Sequence, residues 1–162
     1  MLMTKYVSFK MENTQTLLRV AKIADLLKLT EVFIEYQKFY GICSEVIKVE
    51  SYLRHRLVNK DSQIFIVENH QKEILGFLQI YFTLSSLRLD RALILNDLFV
   101  VKAFRKQGIA VQLIQATIDF AKEQQVSYIE LETGVENSSA QVLYEKMGLK
   151  KQDVLTYTID CK

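Results

Sequence analysis

Proline and tryptophan are absent from this chain of 162 residues, glycine occurs five times and cysteine twice. Without proline no turn has its backbone preset by a ring. Turns therefore fall to Asn, Asp, Ser and the few glycines, and the place of each glycine becomes informative. Cys43 and Cys161 stand far apart, with no CxxC spacing and no histidine company. That argues against a metal site or a disulfide framework and fits reduced thiols in a cytoplasmic protein. The sequence has no run of about 18 apolar residues, and the opening MLMTKYVSFKMENTQ lacks the apolar stretch that directs export. Neither a membrane span nor secretion is predicted. An excess of one charge is also missing: 21 basic and 19 acidic residues leave a net +2, too even for a nucleic-acid or anionic-membrane surface.

What is present is an ordinary globular composition, 49% hydrophobic and 25% charged, in a length that buries a core without metal or disulfide support. A single domain over residues 1–162 is expected, with 1–15 a polar, loosely ordered lead-in. LLRVA (17–21) is apolar and β-capable. Beyond it Leu26, Leu29, Val32, Phe33, Tyr36 and Tyr40 recur at three- and four-residue steps, one face of a helix that Gly41 is placed to stop. A second helix is predicted over 46–58. SQIFIVEN (62–69) and KEILGFLQIYF (72–82) read as strands joined by a short turn holding His70, with TLSSLRLD as a loop after them.

RALILNDLFVV (91–101) is almost continuously apolar, as a strand covered on both faces would be. A helix follows to about Gln124, then the alternating strand SYIELET (127–133). A short helix in SSAQVLYEKMG has Ser138 and Gln141 as its capping box and Gly148 at its left-handed stop. KKQDVLTYTID closes the chain as one or two strands. The order is that of an α/β (α+β) protein built on a central sheet.

FRKQGIA (104–110) joins the most apolar strand to the helix after it. Amides at a helix start have no partner within the helix and carry partial positive charge, so an anion is their natural guest. Gly108 permits a ligand to approach the backbone closely, and Arg105 and Lys106 add charge. The pattern R-x-x-G-x-A thus suits a phosphate, while a plain strand-to-helix turn with solvated cations fits it as well. It is not a G-x-x-x-x-G-K-[ST] loop. Downstream, Asn137 and Tyr144 lie about two helical turns apart and project to the same side. Tyr144 also shares an apolar stripe with Ala140, Leu143 and Met147, where core packing would account for it.

Two segments together, LNDLFVVKAFRKQGIA and IELETGVENSSAQVLYEKMGLKK, carry R-x-x-G-x-A after a strand and N-x-x-A-x-x-x-Y-x-x-x-G in the last helix. In these the chain resembles the general-control-related N-acetyltransferase (GNAT) superfamily, and the element order agrees from about residue 17. The stretch from FLQIY to LNDLFV resembles a bacterial, small-molecule-type branch, and LNDLFV is similar to the LEDLFV strand of polyamine and diamine acetyltransferases. Asn96 stands where that strand carries an acid, leaving Asp97 as its carboxylate. The proline often found just after the strand is missing from VKAFR.

The resemblance implies a three-layer α-β-α sandwich whose mixed sheet of six to seven strands is splayed between the fourth and fifth. It implies acetyl-CoA, or coenzyme A, with its pyrophosphate on the amides of Gln107, Gly108, Ile109 and Ala110 and on the charges of Arg105 and Lys106. The pantetheine arm would pair with the strand edge at Leu98, Phe99 and Val100, and Asn137 would contact that arm. Tyr144 would protonate the leaving thiolate. The acceptor would be a primary amine attacking directly, its proton taken by Asp97 or Glu132, with Glu130 a weaker fit. Tyr36, Tyr40 and Tyr81 would line the acceptor pocket, although helix packing also explains Tyr36. A small-molecule amine is the expected acceptor; a protein N-terminus or lysine, or an idle CoA-binding module, are the alternatives. No metal, nucleic acid or membrane is implied, and LTYTID offers an edge for a homodimer.

Overall fold

The computed structural model of the chain describes residues 7–11 and 14–161, which divide into two compact units, Met1–Glu132 and Thr133–Lys162. The first runs β1 (Val7–Met11), β2 (Thr14–Val20), a 3-10 turn (Ile23–Asp25), α1 (Leu26–Phe39), α2 (Val46–Asn59), β3 (Ser62–Glu68), β4 (Ile74–Ser85) and β5 (Asp90–Val100). A second 3-10 turn (Lys102–Phe104), α3 (Ile109–Glu123) and β6 (Tyr128–Glu130) complete it. The six strands form one sheet in chain order. β1 to β5 pair antiparallel, and β6 joins β5 parallel, which requires the crossover that α3 supplies.

Alternate residues of the same strands serve opposite layers, as pleating dictates. On one face Ile64, Ile66, Phe77 and Phe99 share a core with Leu29 and Phe33 of α1 and Val49 and Leu53 of α2. On the other, Phe65 and Phe82 meet Phe120 of α3 with ring centroids 5.7 and 6.0 Å apart. Helices thus cover both faces of the sheet. Gly76 sits inside β4 because a Cβ there would lie 2.7 Å from the Phe99 carbonyl oxygen and 3.2 Å from the Ile109 side chain; only glycine lets α3 close down on the strand.

An ion-pair network fastens the edge of this core. Arg19 on β2 donates two 2.7 Å hydrogen bonds to the Asp25 carboxylate and a third of 2.7 Å to Glu68 on β3. Lys72 reaches the other Glu68 oxygen at 2.9 Å. Glu68 is 2% exposed, so its charge depends on these partners.

Several expectations need correcting. Residues 7–11, placed in the lead-in, form the edge strand β1. β4 and β5 extend into the expected loop and leave a tight turn at 86–89. β6 covers three residues rather than seven. The second unit holds α4 (Ser138–Lys146), and its cap is Asn137, whose side-chain oxygen accepts from the Ala140 amide at 3.4 Å. Gln141 instead donates to the carbonyls of Gly134 and Val135, so the Ser138–Gln141 capping box is not formed. Residues 149–161 carry no strand, so the sixth strand comes from the N-terminal side. An alternating pattern suits a strand but does not supply the ladder partner a strand needs. Val154, Leu155, Tyr157 and Ile159 are exposed in that segment.

Among the described residues, turns with positive φ fall at Lys60, Lys72, Leu89, Lys106 and Gln125 as well as at glycines, and none at Asn, Asp or Ser. Among the described residues no helix is long and apolar enough to cross a membrane.

Candidate active site

The site begins with an irregularity in β5. Gln79 of β4 pairs with Asp97 and the next residue, Ile80, pairs with Leu95. Asn96 is therefore an extra residue, a β-bulge, which bends the strand and re-aims its side chains. Asn96 is exposed while Asp97 turns inward and is 6% exposed. β6 pairs only with Ala92, Leu93 and Ile94, so β5 and β6 part from Leu95 onward. This is the splay expected between the fourth and fifth strands of the sequence. The Val101 amide donates to the Leu75 carbonyl at 2.9 Å. Its neighbour Val100 therefore turns its own amide and carbonyl to the parted side, as does Leu98, two residues back.

Beyond β5 the chain makes the loop that opens α3. Lys106 (φ 61°) and Gly108 (φ 77°) are both left-handed, and Gly108 caps the helix, its carbonyl accepting from the Gln112 amide at 3.0 Å. Backbone that alternates hand in this way makes concave nests of amides that take anions, and the free amides of Ile109 and Ala110 follow directly. The donor set fits a pyrophosphate. The Ile109 side chain is core, 2% exposed, so its amide is what it offers. Arg105 is engaged elsewhere. Its Nε donates to the Val100 carbonyl at 3.0 Å, and its guanidinium lies 5.1 Å from the Phe39 ring centroid and 5.5 Å from that of Phe99. A cavity of about 130 Å³ lies beside the loop, lined by Gln107, Phe104, Thr16 and Asn69 among others; it does not include Tyr36 or Asp97.

On the α1 and α2 face, two of the expected residues meet. The Tyr36 hydroxyl donates to Asp97 Oδ1 at 2.7 Å, and Asn96 Nδ2 donates to Oδ2 at 3.0 Å. Burial, then the Asp97 carboxylate, pushes the Tyr36 phenol well above its ordinary value, so it remains a proton donor. Tyr40 packs on Tyr36 with centroids 5.2 Å apart. Tyr81 shares a short hydrogen bond with Tyr52, and burial followed by that bond raises the Tyr81 phenol too. Gln79 Nε2 donates to Ser62 Oγ at 2.8 Å and to the Tyr81 hydroxyl at 3.1 Å. Gln79 is fully buried and its Oε1 has no partner.

The GNAT acetyltransferase sequence profile matches residues 29–149. The chain belongs to the GNAT acetyltransferase family. It is 37% identical to the uncharacterized N-acetyltransferase YhfO of Bacillus subtilis over 134 residues, covering 83% of this chain and 89% of that one. It is 31% identical to human N-acetyltransferase 8 over 68% of this chain and 47% of the human protein. The crystal structure of a probable acetyltransferase superposes with a TM-score of 0.84 at 33% identity, covering 90% of this chain and 97% of that one. The protein is thus an acyl-CoA N-acyltransferase, and acetyl-CoA is the donor its family uses.

In this acetyltransferase the first unit brings together Tyr36, Tyr40 and Asp97, and joins Tyr81 to Tyr52 and Gln79. Leu98, Phe99 and Val100 lie on the parted length of β5. Glu132 is exposed at the end of the first unit. Asn137 and the half-buried Tyr144 belong to the second unit, at the start and in the last turns of α4. Gln79 and Tyr52 were not singled out by sequence reasoning. The signal for Gln79 was its solitary polarity within the apolar run ILGFLQIYF; Tyr52 gave none beyond its place on a helix face.

Proposed function

We propose that this acetyltransferase transfers an acetyl group from acetyl-CoA to the primary amine of a small molecule. The observation that carries the reading is the Tyr36–Asp97 pair on the bulged strand whose far side is parted from β6. When bound, acetyl-CoA supplies the acetyl group as an activated thioester. The amides from Gln107 to Ala110, with Lys106, hold its pyrophosphate, and the edge at Leu98 to Val100 pairs with its pantetheine arm. Asp97, steadied by Tyr36 and Asn96, accepts the proton that the amine must lose before it can attack; Glu132 is the second candidate for that role. Asn137 contacts the cofactor arm, and Tyr144 holds the proton for the leaving sulfur. The exposed apolar segment around Leu155 and Tyr157 suits pairing with a second copy of the chain, and the cytoplasm is the compartment its cysteines suit.

Calorimetric titration with acetyl-CoA tests the donor half. Micromolar binding is expected in the wild type and none in Gly108→Glu, where a carboxylate replaces the space for the pyrophosphate. Absence of binding in the wild type would overturn the reading. Tyr144→Phe should lower turnover about tenfold or more, within the usual worth of a general acid, and leave acetyl-CoA affinity nearly unchanged. Equal loss of both would make Tyr144 structural. Asp97→Asn should remove the acid limb of the pH–rate profile; an intact limb transfers the role to Glu132.

A further inference from the structure

Hydrogen-bond capacity around Asp97 is unbalanced. A carboxylate offers about four acceptor positions, and Tyr36 and Asn96 fill two of those on Asp97. Directly across the ladder stands Gln79, fully buried, with an amide oxygen that has no donor. Unmet acceptor capacity at a buried position carries a desolvation cost that a donor would relieve. A primary ammonium brings three N–H donors and a positive charge to match the carboxylate. The Tyr36 ring that holds Asp97 is itself set among aromatic rings: Phe33, Tyr40, Phe77 and Phe99 all pack on it at 5.2–5.9 Å between centroids. Their faces attract a cation as well.

The rim decides what the ammonium is attached to. Phe39 and Tyr40 are 55% and 57% exposed although they pack on each other at 5.1 Å, leaving an apolar aromatic edge uncovered beside Tyr36. Against that edge lies the Arg105 guanidinium, held by a backbone carbonyl and two rings, none of which neutralises it. Arg56, over the Tyr52 ring, is balanced by Asp61 at 2.9 Å. A ligand with a second ammonium would meet the uncompensated charge of Arg105; one with an apolar ring would cover Phe39 and Tyr40.

We infer that the acceptor is a monoamine, a single primary ammonium bound at Asp97 and the Gln79 carbonyl and joined to an apolar or aromatic body lying on Phe39 and Tyr40, and that polyamines are excluded. This rests on the acetyltransferase reading above and narrows its substrate class.

The test is calorimetric titration of the full chain saturated with coenzyme A, which cannot react, using phenethylamine, spermidine and 3-phenylpropionate as probes. Phenethylamine should bind saturably and roughly tenfold or more tightly than either other probe, as a close charge pair warrants. Asp97→Asn should lose that margin while keeping coenzyme A affinity, which shows that the variant is folded. Phe39→Ala should weaken phenethylamine and leave methylamine unchanged. Spermidine binding as tightly as phenethylamine, equal binding of the phenylpropionate, or indifference to Asp97→Asn would overturn the inference and leave the acetyltransferase reading standing. Failure of coenzyme A itself to bind would instead sink the reading on which it rests.

Discussion

Tyr36 and Tyr81 hold their hydroxyls where ionisation is resisted, first by burial and then by Asp97 and Tyr52. A spectrophotometric titration should therefore leave at least two of the eight tyrosines protonated above pH ~10, the ordinary phenol value, until the chain unfolds. Full ionisation of all eight in a single step in the folded protein would contradict the burial described here. Gly76 makes a prediction of a different kind. Its absent side chain would press on the Phe99 carbonyl at 2.7 Å, so Gly76→Ala should cost about 1–3 kcal/mol, read as a lowered thermal midpoint. Much at this scale was legible in advance. Tyr36 stood at helical spacing, Asp97 was the carboxylate in an apolar strand, and Gly108 marked the start of α3. The pairing of Tyr36 with Asp97 was not legible, because it depends on a bulge at Asn96 that no local pattern announces.

Elements were predicted best where a period was long and both faces of it were used. The 3.6-residue period of α1 and the continuous apolar run of β5 gave both their kind and their place. Ends and turns were read unevenly: Gly41 and Gly148 are left-handed where helix stops were expected, but the other left-handed positions among the described residues, Gly108 apart, went to lysines, a leucine and a glutamine, residues with no preference for that region. The C-terminal strand failed for the opposite reason: its alternation is real, but pairing is a property of two segments. The Arg19 network belongs to this scale because it links β2, the turn after it and β3. Burial opposes the charges of Asp25 and Glu68, yet the Arg19 guanidinium outweighs it and holds both carboxyls below their ordinary values. Lowered carboxyl values mean stability that is present above about pH 4, where the unfolded groups titrate, and lost as the pH falls through the folded values. Thermal midpoints between pH 7 and 2 should show that loss. Arg19→Met should cost about 3–5 kcal/mol at pH 7, the usual penalty for breaking a buried pair, and flatten the acid dependence. An unchanged acid slope in the variant would exclude the network as its cause.

For the molecule as a whole, the exposed run of Val154, Leu155, Tyr157 and Ile159 is an apolar surface that a second copy of the chain would cover. Sedimentation should show a dimer at micromolar concentration, and Leu155→Asp with Tyr157→Asp should make it monomeric. A wild type that is monomeric throughout would leave the homodimer without support. The parting of β5 from β6 bears on a quantity that needs no acceptor at all. Amides in the middle of a sheet are ordinarily among the slowest to trade hydrogen for deuterium. Those of Leu98 and Val100 sit in a central strand yet face away from its remaining ladder. They should exchange at loop-like rates in the protein alone and slow once acetyl-CoA is added, while those of Phe99 and Val101, turned toward β4, change little. Two amides in one strand would thus report donor occupancy residue by residue, before any product is known.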